Sequence, residues 1–182
     1  RHIVRFSIEE SDGITAVSEH LRETSTKDLD LSRPVEVIYN FVDTARFRPD
    51  ICPHLRHALA PGGEPVVMHV SNPRPVKGVL DIVRAHAQVT AATGARLVIV
   101  GDGPNKDEAV QLANALGIGT QVSFVGMRDE VEAYLACADL FVCASRQESF
   151  GMAALEAMSC GTPEVAMRVG GLPELVADGE CG

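Results

Sequence analysis

The sequence predicts an α/β protein built on a doubly wound parallel sheet. From Pro65 onward, short apolar runs alternate with segments of helical periodicity. Those runs are nearly continuous in β-branched and aromatic residues, as a parallel strand covered on both faces requires. Five βα units follow in sequence, and right-handed crossovers then place helices on both faces.

Before Pro65 the pattern is different. Gly13–Ser18 (GITAVS) reads as a strand, Glu19–Thr26 as a helix and Val35–Val42 (VEVIYNFV) as a second strand, followed by Pro49, Pro53 and Pro61. This reads as the end of one domain plus a connector, residues 1–46, leading into a second domain, residues 47–182. The strands expected in the second domain are Pro65–Ser71 (PVVMHVS), Arg96–Gly101 (RLVIVG), Val122–Gly126 (VSFVG), Leu140–Ala144 (LFVCA) and Glu164–Met167 (EVAM). Between them, Val79, Leu80, Ile82, Val83 and Ala87 form one apolar stripe stopped by Gly94. Val110, Ala113 and Leu116 form another, ended by Gly117, and Val131, Tyr134, Leu135 and Ala138 a third. In such a sheet ligands bind beyond the carboxyl ends of the strands, so the informative loops are Ser71–Gly78, Gly101–Asn105, Gly126–Asp129 and Ser145–Gly151. The chain opens on Arg1 and stops at GECG soon after a helical segment begins, so it is expected to be an incomplete fragment.

Composition narrows the function. With 46% apolar residues the chain is expected to fold, and its net charge of −9 argues against an extended nucleic-acid surface. No run approaches the length of a membrane span, and no basic-then-apolar leader is present. The five cysteines, Cys52, Cys137, Cys143, Cys160 and Cys181, contain no C-x-x-C and read as reduced, buried thiols of a cytoplasmic protein.

The residues able to carry chemistry sit in the loops named above. Lys77 stands where a helix should start, a place unfavourable for a cation unless an anion binds nearby, and Arg74 lies three residues earlier; together they point to an anion site. The GDGP turn at Gly101–Pro104 follows a strand, but two glycines there can serve the turn alone. Neither G-x-G-x-x-G after the first strand nor a Walker A motif occurs, which disfavours dinucleotide binding and ATP hydrolysis. Glu148, Ser149, Phe150, Gly151 and Met152 form a turn into a helix whose free N–H groups suit a phosphate or sugar oxygen. Glu156 is the one charged residue between Glu148 and Glu164. On so apolar a helix its carboxylate needs a partner. Cys52, His54 and His57 form a poor metal set because a fourth ligand is not evident. His69, inside the first strand of the second domain, reads as a satisfied core histidine rather than a base.

The order and spacing of SNPRPVKG, VIVGDGP, VSFVGMRDEV, ADLFVCASRQESFGMAALEAMSCGTP and VGGLPE resemble retaining glycosyltransferases of family 4. Their E-x7-E motif matches Glu148 and Glu156. ITAVSEHL, VIYNFVD and the SNPRPVKG loop look most like members that pass N-acetylglucosamine to L-malate in bacillithiol biosynthesis. The resemblance implies a GT-B architecture of two Rossmann-like domains, this chain supplying the end of the acceptor domain and most of the donor domain. It also implies a UDP-sugar, with N-acetylglucosamine as the sugar and L-malate as the acceptor, bound partly by the missing domain. Lys77 and Arg74 would contact the diphosphate, with Asn72 in the same loop. The backbone of Gly126, Met127 and Arg128 would hold the uracil, and Glu156 the ribose. Glu148, with Phe150–Met152, would hold the sugar hydroxyls and the β-phosphate, leaving Lys77 and Glu148 as the catalytic pair. No metal or other cofactor is required in that scheme, and the chain alone is expected to bind a donor without turning it over. Family members with another donor or acceptor, and a non-catalytic nucleotide-sugar binding module, are the competing readings. Many members have Arg where Asn72 stands, whereas the malate-transferring members resemble this chain in having Asn. Pro73 stands where those members have Phe, and Glu164 occupies an expected apolar position, read as a weakened or solvated strand start.

Overall fold

The computed structural model describes residues 2–50 and 53–179. Two parallel sheets form. The first part of the chain runs α1 (His2–Glu9), β1 (Thr15–Ala16), α2 (Glu19–Leu29) and β2 (Glu36–Val37), with β1 and β2 paired. After α3 (Pro53–Leu59) comes a five-stranded sheet of β3 (Val66–Val70), β4 (Arg96–Val100), β5 (Val122–Gly126), β6 (Leu140–Cys143) and β7 (Glu164–Ala166). Its helices are α4 (Val79–Thr93), α5 (Lys106–Ala115), α6 (Val131–Leu135) and α7 (Met152–Ser159). The strand order is β5-β4-β3-β6-β7, parallel throughout. The chain therefore winds outward from β3 in one direction, then crosses back to β6 and winds the other way. That reversal opens a crevice at the carboxyl ends of β3 and β6.

Val66, Met68, Leu97, Val98, Ile99 and Phe141 are fully buried, since helices cover both faces of the central strands. One core lies against α6 and α7 and the other against α4 and α5. On α4 the buried residues are Val79, Ile82, Val83 and His86, and Gly94 ends the helix in the left-handed conformation. The expected stripe on α5 is out of phase: Ala109 and Ala113 are buried with Leu112 beside them, whereas Leu116, at the helix end, is 42% exposed. Small alanines let α5 lie close to its neighbours, so helix phase was set by the smallest side chains. α1 was not expected at all, and it leaves Ile3 and Phe6 exposed. The two early strands are also shorter than the runs GITAVS and VEVIYNFV predicted.

Two further expectations need correction. Cys143 and Cys160 are free, buried thiols, but Cys137 is disulfide-bonded rather than reduced; Cys52 and Cys181 lie outside the described residues. Glu164 is no solvated strand start. It is 1% exposed and pairs in register with Phe141, so both side chains share the face that packs into a core. Neither of its carboxyl oxygens has a hydrogen-bond partner among the described residues, and burial pushes its pKa up to about 7.

Close packing around the crevice depends on glycine at two turns. A side chain at Gly101 would place its Cβ 1.8 Å from Ser71 O, and one at Gly170 would place it 1.7 Å from Glu148 O. Both also have positive φ.

Gly101→Ala is expected to destabilise the protein by about 2 kcal/mol or more, measured by denaturant unfolding, since backbone must move to admit the methyl group. Glu164 yields a pH prediction. Its folded pKa lies above the unfolded value of a carboxyl, so the folded chain keeps a proton that the unfolded chain releases, and stability falls as pH rises from 4.5 towards 7. Glu164→Gln removes that slope and is expected to gain on wild type by up to about 3 kcal/mol at pH 8, with little gain at pH 4.5.

Candidate active site

The loop after β3 begins with Ser71 N–H donating to Val100 O (3.0 Å), which carries the chain across the end of β4. Pro73 is buried, while Asn72 and Arg74 remain exposed. Pro75–Lys77 then form one turn of 3-10 helix, so Lys77 sits just ahead of α4. Arg146 N–H donates to Val76 O (2.8 Å), tying this turn to the loop that leaves β6. The Lys77 ammonium meets the Glu148 carboxylate across the two loops, Nζ to Oε2 at 2.6 Å. Ser145, 1% exposed at the end of β6, donates its hydroxyl to the same oxygen at 3.3 Å. An ammonium has three protons, so pairing with Glu148 leaves Lys77 able to hold an anion as well.

Beyond Glu148 the chain passes through Ser149 and the buried Phe150 to Gly151, which caps α7 in the left-handed conformation. The first backbone hydrogen bond at this end runs from Leu155 N–H to Gly151 O (3.0 Å), so the amides at the start of α7 have no intrahelical acceptor. Glu156 lies one turn further along. It is half-buried, and its carboxylate makes no hydrogen bond among the described residues. Burial raises its pKa, the Arg46 guanidinium opposes that rise, and Glu132 adds to it. Arg46 itself donates to Glu132 Oε2 (2.8 Å) and to Asp129 O (2.7 Å), pinning the segment after β5.

These loops enclose a cleft of about 610 Å³, within the ordinary range for small-molecule sites. Asn72, Arg74, Lys77, Met127, Arg128, Glu148, Ser149, Phe150, Gly151, Met152 and Glu156 all line it. Gly126 does not: its carbonyl accepts the Gly101 amide at 2.8 Å, joining β5 to the turn after β4. Arg128 directs its Nε to the Tyr134 hydroxyl (3.0 Å). His69 also borders the cleft, but its ring nitrogens lie 2.9 Å from Val142 O and 2.7 Å from Ser71 Oγ. Burial lowers its pKa to about 4, which makes it a neutral structural group. His54 and His57 are exposed on α3, and Cys52 lies outside the described residues.

Sequence reasoning missed Val17, Asn40, Asp102 and Ser145, which also line the cleft. Asp102 and Ser145 lie in loops that the sheet topology had marked. Val17 and Asn40 belong to the first part of the chain, and no local signal connects them to the strands beyond Pro65.

Comparison with known proteins agrees with this geometry. Residues 54–182 match the family of glycosyl transferases group 1. The chain is 38% identical over all 182 residues to the N-acetyl-alpha-D-glucosaminyl L-malate synthase of Bacillus anthracis, covering 48% of that protein. It is also 38% identical over 157 residues to a D-inositol 3-phosphate glycosyltransferase of Mycobacterium bovis, covering 32% of it. The chain thus spans half or less of the length of these relatives. Among solved structures, Anabaena Alr3699/HepE in complex with UDP-glucose superposes with a TM-score of 0.88 at 29% identity, over 98% of this chain and 51% of that one. No helix among the described residues is long and apolar enough to cross a membrane. The parallel sheet, the crevice at its reversal point and the match over residues 54–182 agree, and the chain belongs to the glycosyl transferases group 1 family, with the Rossmann-like fold of GT-B enzymes.

Proposed function

We propose that this chain is the donor-binding part of a retaining glycosyltransferase that moves N-acetylglucosamine from UDP-N-acetylglucosamine to L-malate. The observation that carries the donor reading is the placement of three groups along one cleft: Lys77 paired with Glu148, the open N-terminus of α7, and the unpartnered Glu156. The order fits a nucleotide sugar. A diphosphate would lie against Lys77, Arg74 and the amides of α7, where charge and dipole favour an anion. Glu156 would accept the ribose hydroxyls, donors that this half-buried carboxylate lacks within the chain. Met127 and Arg128 would flank the base, and Glu148 the sugar hydroxyls. The relative from Bacillus anthracis supports malate as acceptor, and residues 1–46 would close the acceptor domain.

The chemistry follows from charge. Breaking the anomeric C–O bond places positive character on the sugar and negative charge on the departing UDP. Lys77, Arg74 and the α7 amides stabilise the leaving group while the acceptor hydroxyl attacks from the same side, its proton passing to the diphosphate. These charges stand in place where a metal would otherwise be needed, so the reading includes no metal.

Glu156→Ala is expected to weaken UDP binding by about 10-fold or more, the worth of hydrogen bonds to a charged acceptor. Glu148→Ala should instead discriminate between UDP and the intact sugar nucleotide. Calorimetry with UDP, UDP-N-acetylglucosamine, UDP-glucose and GDP-mannose checks both, and equal affinity for uridine and guanosine donors would sink the donor reading. The acceptor is tested by product analysis of the full-length protein with labelled UDP-N-acetylglucosamine and a panel containing L-malate and inositol phosphate; transfer to malate alone is expected.

A further inference from the structure

The loop that carries Glu148 is held from a direction the donor reading does not use. Ser18 is fully buried, and its hydroxyl donates to Ser149 O at 2.6 Å across 131 residues of sequence. The same hydroxyl accepts from Leu21 N–H (3.1 Å) and so caps α2. Ser18 is therefore not free to turn. The N-terminus of α2 is anchored again by Glu174, whose carboxylate accepts from Glu19 N–H (2.9 Å) and His20 N–H (2.8 Å). Tyr39 completes the contact, its ring 6.1 Å from that of Phe150. On the far side of the loop, Gly171 N–H donates to Glu148 O (3.0 Å). Space here is tight, because a Cβ at Gly171 would lie 2.5 Å from Ser149 O and 3.0 Å from the Ser18 Cβ.

A trans peptide is planar, with its carbonyl and the following N–H pointing in opposite directions. Whatever holds Ser149 O therefore sets the direction of the Phe150 N–H, the amide just before the Gly151 cap of α7. We propose that Ser18 is a positioning residue of the donor site: by holding the Ser149 carbonyl from the capped end of α2, it orients the peptide whose amide faces the bound phosphate. This rests on the donor reading above and adds to it a dependence of the site on the first part of the chain. Sequence offers no hint of it, since the Ser18 hydroxyl would be explained fully by its role as a helix cap.

Two variants separate the roles. Ser18→Ala removes both the cap and the contact with Ser149, whereas Ser18→Asp keeps a capping acceptor and has no proton to donate. Both are expected to bind UDP about fivefold or more weakly, the worth of roughly one net hydrogen bond, and to speed hydrogen exchange of the amides at 149–152. Ser18→Ala should also lose melting temperature through the missing cap, and Ser18→Asp through a carboxylate buried against the Ser149 carbonyl, so the two are compared by UDP affinity and exchange rather than by melting temperature. UDP affinity unchanged in Ser18→Ala despite a lowered melting temperature overturns the proposal, as does recovery of wild-type affinity in Ser18→Asp. Should Ser18→Asp not fold, Ser18→Ala decides alone by the same split. Wild-type protein that fails to bind UDP overturns the donor reading itself, while the exchange rates of Ser18→Ala still report whether Ser18 orders the loop.

Discussion

The contact between the Lys77 ammonium and the Glu148 carboxylate, two residues 71 apart in sequence, joins the loops that follow adjacent strands. Each group is largely withdrawn from solvent, and such a charge is tolerated only beside its counterpart. The pair thus depends on β3 and β6 being neighbours, which follows from the reversal of winding at β3. Around it, Ser145 supports the carboxylate and the Arg146–Val76 hydrogen bond fixes the spacing of the backbones. A cation placed in this way is ready for an anion before the anion arrives, and little reorganisation is needed when charge develops there.

Hydrogen bonding along the next few residues divides by direction. The carbonyls of Glu148 and Ser149 are occupied by Gly171 and Ser18, both outside the loop. The amides that begin α7 have no intrahelical acceptor. The protein thus satisfies the acceptors of this turn from behind and leaves donors towards the cleft, which suits anionic and hydroxylic ligands. Glu156 supplies the complementary element, an acceptor lacking donors, one turn into the helix. Arg46 keeps a positive charge near it while tying down the segment at Asp129 and Glu132.

Much of the fold was legible because parallel strands buried on both faces have a distinctive composition. All five strands of the main sheet fall within the apolar runs of the sequence, and Gly94 stops α4 at the expected place. The site was legible where residue type opposes its surroundings: a lysine ahead of a helix start, a lone glutamate on an apolar helix. Where local pattern was ambiguous, reading failed. The face of α5 is chosen by alanines rather than by Leu116, and Glu164 is buried although it looks like a surface residue. Cys137 has the same apolar surroundings in sequence as a buried thiol, yet it is disulfide-bonded.

Sequence alone determined the βα alternation, the loops at which ligands gather, and two carboxylates eight residues apart with separate surroundings. These are local properties, carried by side-chain volume, polarity and turn chemistry over a few residues. Tertiary structure alone decided that Val17 and Asn40 reach this cleft, that Ser18 holds the loop behind it, that the Gly126 carbonyl takes the Gly101 amide, and that Lys77 meets Glu148. Those outcomes depend on which strands become neighbours and how closely backbones approach, and neither is encoded in the spacing along the chain.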